Sequence, residues 1–270
     1  MAIMALHAGA TGLSSLDTKL NVLANNLANI NTAGFKRSRT NFEDLLYQAK
    51  LEPGIKNFQD ELVPHGIMVG LGSRVSGTQL DFALGNVEQT GRKLDVLIEG
   101  EGLFKVKALQ GGQEVDAYTR AGAFTLNSEG NVVMANSVGS LLEPEINIPQ
   151  TALRESITIS STGMVSYRND GDVNPTEAGQ IELVRFVNPE GLKSIGKNLY
   201  IETEASGTPL EGNPGQDGLG TLLQGTLEGS NVDPAEELIQ LILTQRGYEL
   251  NSQSIQAADE SLQVVARLRR

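Results

Sequence analysis

Few residues in this 270-residue chain are of the types that carry out reactions. Histidine occurs twice, at His7 and His65, and neither stands near a serine and an aspartate in an order that suggests a triad. There is no cysteine, which removes disulfides, thiolate metal ligands and thiol nucleophiles together. Glu99 and Glu101 are spaced as two carboxylates flanking a glycosidic bond could be. Two apart on a strand they would share a face, but Gly100 and Gly102 make the stretch read as a turn. Gly70-Leu71-Gly72 with Gly77 is glycine-rich, yet the third glycine is misplaced for a dinucleotide loop and no P-loop Lys-Ser/Thr follows. Asn25, Asn26 and Asn29 could be polar ligands, but asparagine on a helix interface more readily fixes packing register. The expectation is a protein without catalytic residues, metal or cofactor.

Composition narrows the field further. The chain carries 33 acidic and 21 Lys/Arg residues, a formal charge of −12, which speaks against nucleic acid as a partner. No apolar run approaches the roughly 18 residues of a membrane helix, so no membrane insertion is expected. The first 35 residues do not read as a secretory signal, since a basic leading segment is lacking and Ser14, Ser15 and Asp17 interrupt the apolar stretch. Charge is segmented. Only Asp17 and Lys19 are charged before residue 36, whereas residues 67–227 carry 20 acids and 11 bases.

Both ends read as helices that would position any binding surface. Leu13, Leu16, Leu20, Leu23, Leu27 and Ile30 step by alternating threes and fours, a heptad seam that ends near Gly34 in a left-handed cap. Around it stand Ser14, Ser15, Thr18, Asn21, Asn25, Asn26 and Asn29 in place of Glu and Lys. Such a helix suits neighbours on several sides, supplied either by its own domain or by other chains. At the other end Asp233-Pro234-Ala235-Glu236 supplies an N-cap, a proline at the first helical position and an acid after it. Leu241, Tyr248, Ile255 and Leu262 then repeat every seven residues, beside a column of Leu238, Gln245, Ser252 and Asp259 that turns polar. This second seam is weak alone and calls for another helix.

Burying the six seam side chains of the first helix together with Leu6, seven Leu/Ile in all, contributes roughly 10–20 kcal/mol. Ordering some thirty residues costs on the order of 30–60 kcal/mol in backbone entropy. Terminal helices of this kind are therefore expected to be mobile in the isolated monomer and to become helical on association.

Between the ends, residues 41–50 read as a short helix with Asn41 as cap and Phe42, Leu45, Leu46 and Ala49 on one face, stopped by Glu52-Pro53-Gly54. Residues 55–70 suggest an extended arm or hairpin. From about 71 to 227 short β-type runs alternate with Gly, Asn, Asp and Pro, and Asn127-Ser128-Glu129-Gly130 and Arg168-Asn169-Asp170-Gly171 read as hairpin turns. The predicted fold is α+β. N- and C-terminal helices (1–35 with 228–270) pair into a coiled-coil-like core, a connecting segment spans 36–70, and an all-β domain (71–227) is inserted between them.

Four stretches carry a resemblance. ANNLANINTAGFKRSRTNFEDLLYQ (24–48), GNVEQTGRKLDVLIEGEGLFKV (85–106), AYTRAGAFTLNSEGNVV (117–133) and EGSNVDPAEELIQLILTQRGYELNS (228–252) resemble the signatures of flagellar basal-body rod and hook proteins. They occur in that family's order and span nearly the whole chain. FEDLLYQ (42–48) and GLKSIGKNLYIETEASG (191–207) resemble the distal-rod branch in particular. The resemblance implies a structural subunit that self-assembles into a rigid helical tube, the drive shaft that passes torque to the hook and carries the export channel. It implies a place in the basal body from periplasm to outer membrane. The implied partners are copies of itself, proximal rod subunits, hook subunits, the P-ring and L-ring bushings, a rod cap and the type III export apparatus.

The implied self-assembly interface is formed by the two seams, Leu13, Leu16, Leu20, Leu23, Leu27 and Ile30 with Leu238, Leu241, Tyr248, Ile255 and Leu262, and by Asn25, Asn26 and Asn29. Phe42 and Leu46 fit the family's export-gate pattern, or simply pack as a local helix face. Lys50, Glu52, Lys56, Asp60 and Glu61 lie in the segment tied, in distal-rod relatives, to a straight and stiff tube. The Arg-rich end, Arg267, Arg269 and Arg270, departs from the family pattern. Within the family, a proximal rod or hook subunit is the alternative. Outside it stand a cell-wall glycan hydrolase, which needs a carboxylate pair in a cleft, and an adhesin that folds and binds without its termini.

Overall fold

A computed structural model describes residues 2–54, 64–169 and 174–268. The chain divides into two compact units. The first comprises Met1–Ala28, Ser38–Leu80 and Asp233–Arg270, and the second Asn29–Arg37 with Asp81–Val232.

The first unit is built on two long helices, α1 (Ala2–Ala28) and α2 (Pro234–Leu268). Asp233 caps α2 as the sequence indicates, its Oδ1 accepting from the Ala235 N–H at 2.8 Å. The helices lie antiparallel. Gly9 faces Ile255, Gly12 faces Asn251, and Gly247 faces Leu16. Further along, the Lys19 ammonium donates to Gln240 at 3.1 Å and the Asn26 amide to Glu237 at 3.2 Å. Glycine permits this approach, since a Cβ at Gly9 would lie 2.7 Å from Ile255 Cγ1 and one at Gly12 2.8 Å from Asn251 Nδ2.

Residues 41–50 are not the helix expected. They belong to β1 (Ser38–Asp44) and β2 (Tyr47–Leu51), which pair antiparallel with β4 (Ser73–Leu80) and β3 (Ile67–Gly70) respectively. The ladder from Ser38↔Leu80 to Asp44↔Ser73 satisfies this backbone, and the Asn41 amide donates to Gln79 rather than capping a helix. The apolar residues that suggested a helical face do not share a buried side: Phe42 is 42% and Leu46 83% exposed. Nonlocal pairing has overridden local spacing.

This β element leans on α1. Ser15 Oγ donates to Ser73 O, His7 Nδ1 lies 3.1 Å from Leu71 O, and Asn26 bonds both the N–H and the carbonyl of Ser38. Part of the uncharged surface of α1 thus meets its own chain.

The second unit is β-rich. Its largest sheet has nine strands, all paired antiparallel, centred on the hairpin of Leu103–Gln110 and Gln113–Thr119. The turn at 127–130 forms as the sequence indicates, with Asn127 Oδ1 accepting from the N–H groups of Glu129 and Asn131 and Gly130 at φ 88°. The turn expected at 168–171 extends outside the described residues. The core gathers Val96, Ile98, Phe104, Val106, Phe124, Leu142, Ile146, Ile181 and Leu183, and the Phe104 and Phe124 rings meet edge to face at 5.1 Å. Residues 29–37 belong here. Gly34, at φ 69°, sits so close that a Cβ would fall 2.6 Å from Ala121 N.

Candidate assembly surfaces

In the first unit, α2 is apolar on two opposite sides. Leu241, Ile255 and Leu262 are half-buried on the side that meets α1. The companion column is offset by one residue from that expected. Glu237, Thr244, Asn251 and Ala258 face inward, whereas Leu238, Gln245 and Asp259 are exposed and only Ser252 of the expected column is half-buried. The cause is polar burial. Glu237 is 4% exposed and takes the Asn26 amide, and Thr244, 3% exposed, donates its hydroxyl to Gln240 O. An apolar count skips such positions.

The opposite side of α2 carries large side chains in the open. Leu238 is 46%, Ile239 57%, Ile242 56%, Leu243 59% and Leu250 66% exposed, and Val264 extends the exposed apolar area, whereas Tyr248, 40% exposed, continues the Leu241 column. At 100° per residue, Leu238, Ile242, Ile239, Leu250 and Leu243 fall within one wide stripe. On α1, Leu23 is buried at 6%, while Leu13, Leu16, Leu20 and Leu27 are half-buried. Ile30 and Asn29 lie past the helix end in the second unit, both half-buried. Asn26 is fully buried and Asn25 exposed.

Lys50 and Glu52 are exposed at and just beyond the end of β2. Lys56, Asp60 and Glu61 lie outside the described residues. Phe42 on β1 and Leu46 beyond its end stand at the surface.

The second unit holds a site that sequence reasoning missed. Glu228 is buried between two cations, with Lys36 Nζ 2.6 Å from Oε1 and Arg120 Nε 2.5 Å from Oε2. The Gly85 N–H also donates to Oε1. Lys36 spends its remaining capacity on the Ala83 and Phe82 carbonyls, and Arg120 on those of Ile98, Gly100 and Gly102. Burial alone would push the Glu228 carboxyl up, but Arg120 and Lys36 together hold it below the ordinary carboxylate range. Burial, abetted by Arg120, pulls Lys36 below the ordinary lysine value although Glu228 opposes it. One carboxylate serves two cations, so Lys36 is the strained member.

Beside the triad, Asn231 ties its own stretch to two passing segments. It accepts from the Arg37 N–H at 2.7 Å and donates to the carbonyls of Asp81 and Ala83. Lys36, Arg120 and Glu228 lie in three separate stretches that carried the resemblance, Lys36 directly beside Arg37 and the other two without a charged neighbour, so no spacing in the sequence joins them. Among the described residues, no group of three or more His, Asp or Glu is gathered as metal ligands would be, and no helix is long and apolar enough to cross a membrane.

Comparison with known proteins gives three family matches along the chain. Residues 6–36 match the flagella basal body rod protein family, 97–167 the flagellar hook protein FlgE/F/G D1 domain, and 223–268 the flagellar basal body rod FlgEFG protein C-terminal domain. The flagellar basal-body rod protein FlgG of Buchnera aphidicola subsp. Schizaphis graminum is 44% identical over 266 residues, covering 98% of this chain and 100% of that one. FlgG of Agrobacterium fabrum is 43% identical over 97% of this chain and 98% of its own. FlgG of Bacillus subtilis is 38% identical over 99% of this chain and 100% of its own.

Proposed function

The chain belongs to the flagellar basal-body rod family, and from that premise we propose that it is the distal-rod subunit, polymerising into a rigid helical tube. It is a structural protein of the basal body, not a member of an enzyme family. In this reading α1 and α2 form a coiled-coil-like inner core, and the β-rich unit forms the outer layer. Torque passes through the tube to the hook, and exported subunits travel along its channel. The tube runs from periplasm to outer membrane, meeting proximal rod and hook subunits at its ends and the P- and L-rings at its side. A cap serves its growing end, and the chain reaches it through the type III apparatus, with Phe42 and Leu46 as the gate pattern.

The observation that carries this reading is the uncovered apolar side of α2. Covering Leu238, Ile239, Ile242, Leu243, Leu250 and Val264, each about half exposed, would contribute roughly 5–9 kcal/mol per subunit. That is enough to offset part of the cost of association when one contact repeats along a polymer. Leu13, Leu16, Leu20, Leu23, Leu27, Leu241, Tyr248, Ile255 and Leu262 form the seams of the helix pair, with Asn26 bonding across it to Glu237, and the proposed self-assembly interface also takes in Ile30, Asn25 and Asn29. Lys50, Glu52, Lys56, Asp60 and Glu61 act as the stiffening segment. The test is sedimentation of the purified chain against Ile242→Asp/Leu243→Asp. The native chain pellets as polymer, and the variant stays soluble while keeping the β-sheet signature of the folded second unit in its circular dichroism spectrum. A variant that polymerises like the native chain would overturn the reading.

A further inference from the structure

Two concavities in the β-rich unit carry opposite charge. The first, of about 310 Å³, is lined by Glu143, Glu145, Glu182 and Glu211 with Lys105 and Lys107. Asp116 joins Lys105 at 3.3 Å, Glu211 at 2.9 Å and Glu143 at 3.6 Å, and Lys107 meets Glu145 at 3.5 Å. Four carboxylates therefore share two ammonium groups, and Glu182 adds a fifth to the lining. The Lys105 pKa is raised: its partial burial opposes this, and hydrogen bonds to Glu211 and Asp116 more than reverse it. Lys105, Lys107, Asp116, Glu143 and Glu211 sit on paired strands of the large sheet, and Glu145 and Glu182 flank the strands Leu141–Glu143 and Leu183–Arg185.

The second concavity, of about 390 Å³, has an apolar floor of Leu94, Leu126 and Ile157 and a rim of Arg92, Lys93 and Arg154, with Glu155 the one carboxylate in its lining. Arg92 reaches buried Asp95 at 3.8 Å. Among the described residues, neither Lys93 nor Arg154 has an ion-pair partner, and both are exposed. Free cations are out of place in this stretch, where acids outnumber bases 20 to 11.

Resting on the proposed polymer, we propose that these concavities are the two halves of one contact between successive copies of this chain, the Lys93/Arg154 rim of one entering the Glu145/Glu182 concavity of the next. The occupant is a second copy because one chain carries both signs at different places, each in excess of its local counter-charge. A contact between unlike patches is heterologous and does not close on itself, as an open filament requires. Isolated surface pairs contribute little, so the contact selects orientation and register among copies whose apolar helices supply the attraction. It is also screened by salt, unlike the helix contact.

The experiment compares polymerisation of the full chain in low salt with that of Lys93→Glu/Arg154→Glu, of Glu145→Lys/Glu182→Lys, and of the chain carrying all four changes. Each double reversal is expected to raise the critical concentration about tenfold, and the combination to bring it back toward the native value. Because the native chain has no cysteine, Lys93→Cys/Glu145→Cys gives a second readout, a disulfide between copies that forms in polymer and not in monomer. If the native chain polymerises while the reversals have no effect, or the combination fails to restore assembly and no cross-link forms, the charge contact is wrong and the rod reading stands. If the native chain never polymerises, the rod reading itself falls, and this contact with it.

Discussion

Lys36 and Glu228 stand 192 positions apart in sequence and 2.6 Å apart in space, both almost wholly out of water. Their pairing closes the β-rich unit at the places where the chain enters and leaves it. The charge cluster is not itself a source of great stability, because taking three ions out of water costs several kcal/mol each before their attraction offsets it. Its importance lies in what happens when one member is lost.

Glu228→Gln leaves Lys36 and Arg120 buried without a counter-ion. The expected loss is about 3–5 kcal/mol of unfolding free energy, measured by urea titration of the monomer. Lys36→Met should cost less, since Arg120 keeps Glu228 and one strained cation is gone. An equal loss in both variants would contradict the asymmetry assigned to the triad.

The same carboxylate sets an acid limit. Its folded pKa lies below the ordinary 4.5, so the unfolded chain takes up the proton first as pH falls. The stabilisation is complete above about pH 4.5 and is lost as pH drops toward the folded value. Thermal midpoints recorded from pH 6 to 3 should fall more steeply for the native chain than for Glu228→Gln. Parallel curves would show that another group governs acid unfolding.

The helix pair should resist the usual benefit of removing glycine. Gly→Ala in a helix ordinarily gains about 1 kcal/mol. At Gly9 the added Cβ meets Ile255 Cγ1 at 2.7 Å, and larger Gly9→Val is expected to lose about 1–3 kcal/mol through displaced packing. Circular dichroism at 222 nm during heating would report it, with Ile255→Ala in the same chain relieving part of the loss.

Removing residues 50–62 should leave a polymer that bends more. The segment carries the charges Lys50, Glu52, Lys56, Asp60 and Glu61, and in the proposed tube pairs between copies, weak singly, would repeat with every subunit. Curvature measured along negatively stained tubes would separate the outcomes, and an unchanged straightness would remove the stiffening role.

What was legible in the sequence was local. The α2 start follows from Asp233-Pro234, the turn at 127–130 from Asn127 and Gly130, and the helical state of α1 from the spacing of its leucines. What was hidden depended on distant partners. Phe42 and Leu45 sit at helical spacing, and only pairing with β4 and the bond from Leu45 N–H to Gly72 O draw this backbone out of a helix. The inward column of α2 was misread by one position because buried Glu237 and Thr244 look like surface residues until Asn26 and Gln240 are seen beside them. The uncharged surface of α1 was read as a contact with several neighbours, and the β1–β4 pair supplies one of them through Ser15 and Asn26. The triad draws its three members from positions 36, 120 and 228, a distance across which no periodicity operates.

Asn231 gives the β-rich unit a mechanical property. Its side chain grips residues 37, 81 and 83 at once, while its own N–H reaches Phe35 O. A pull applied along any one of these segments is shared by the others, so their hydrogen bonds are loaded side by side and yield together. A subunit under twisting load thereby avoids being peeled open one rung at a time.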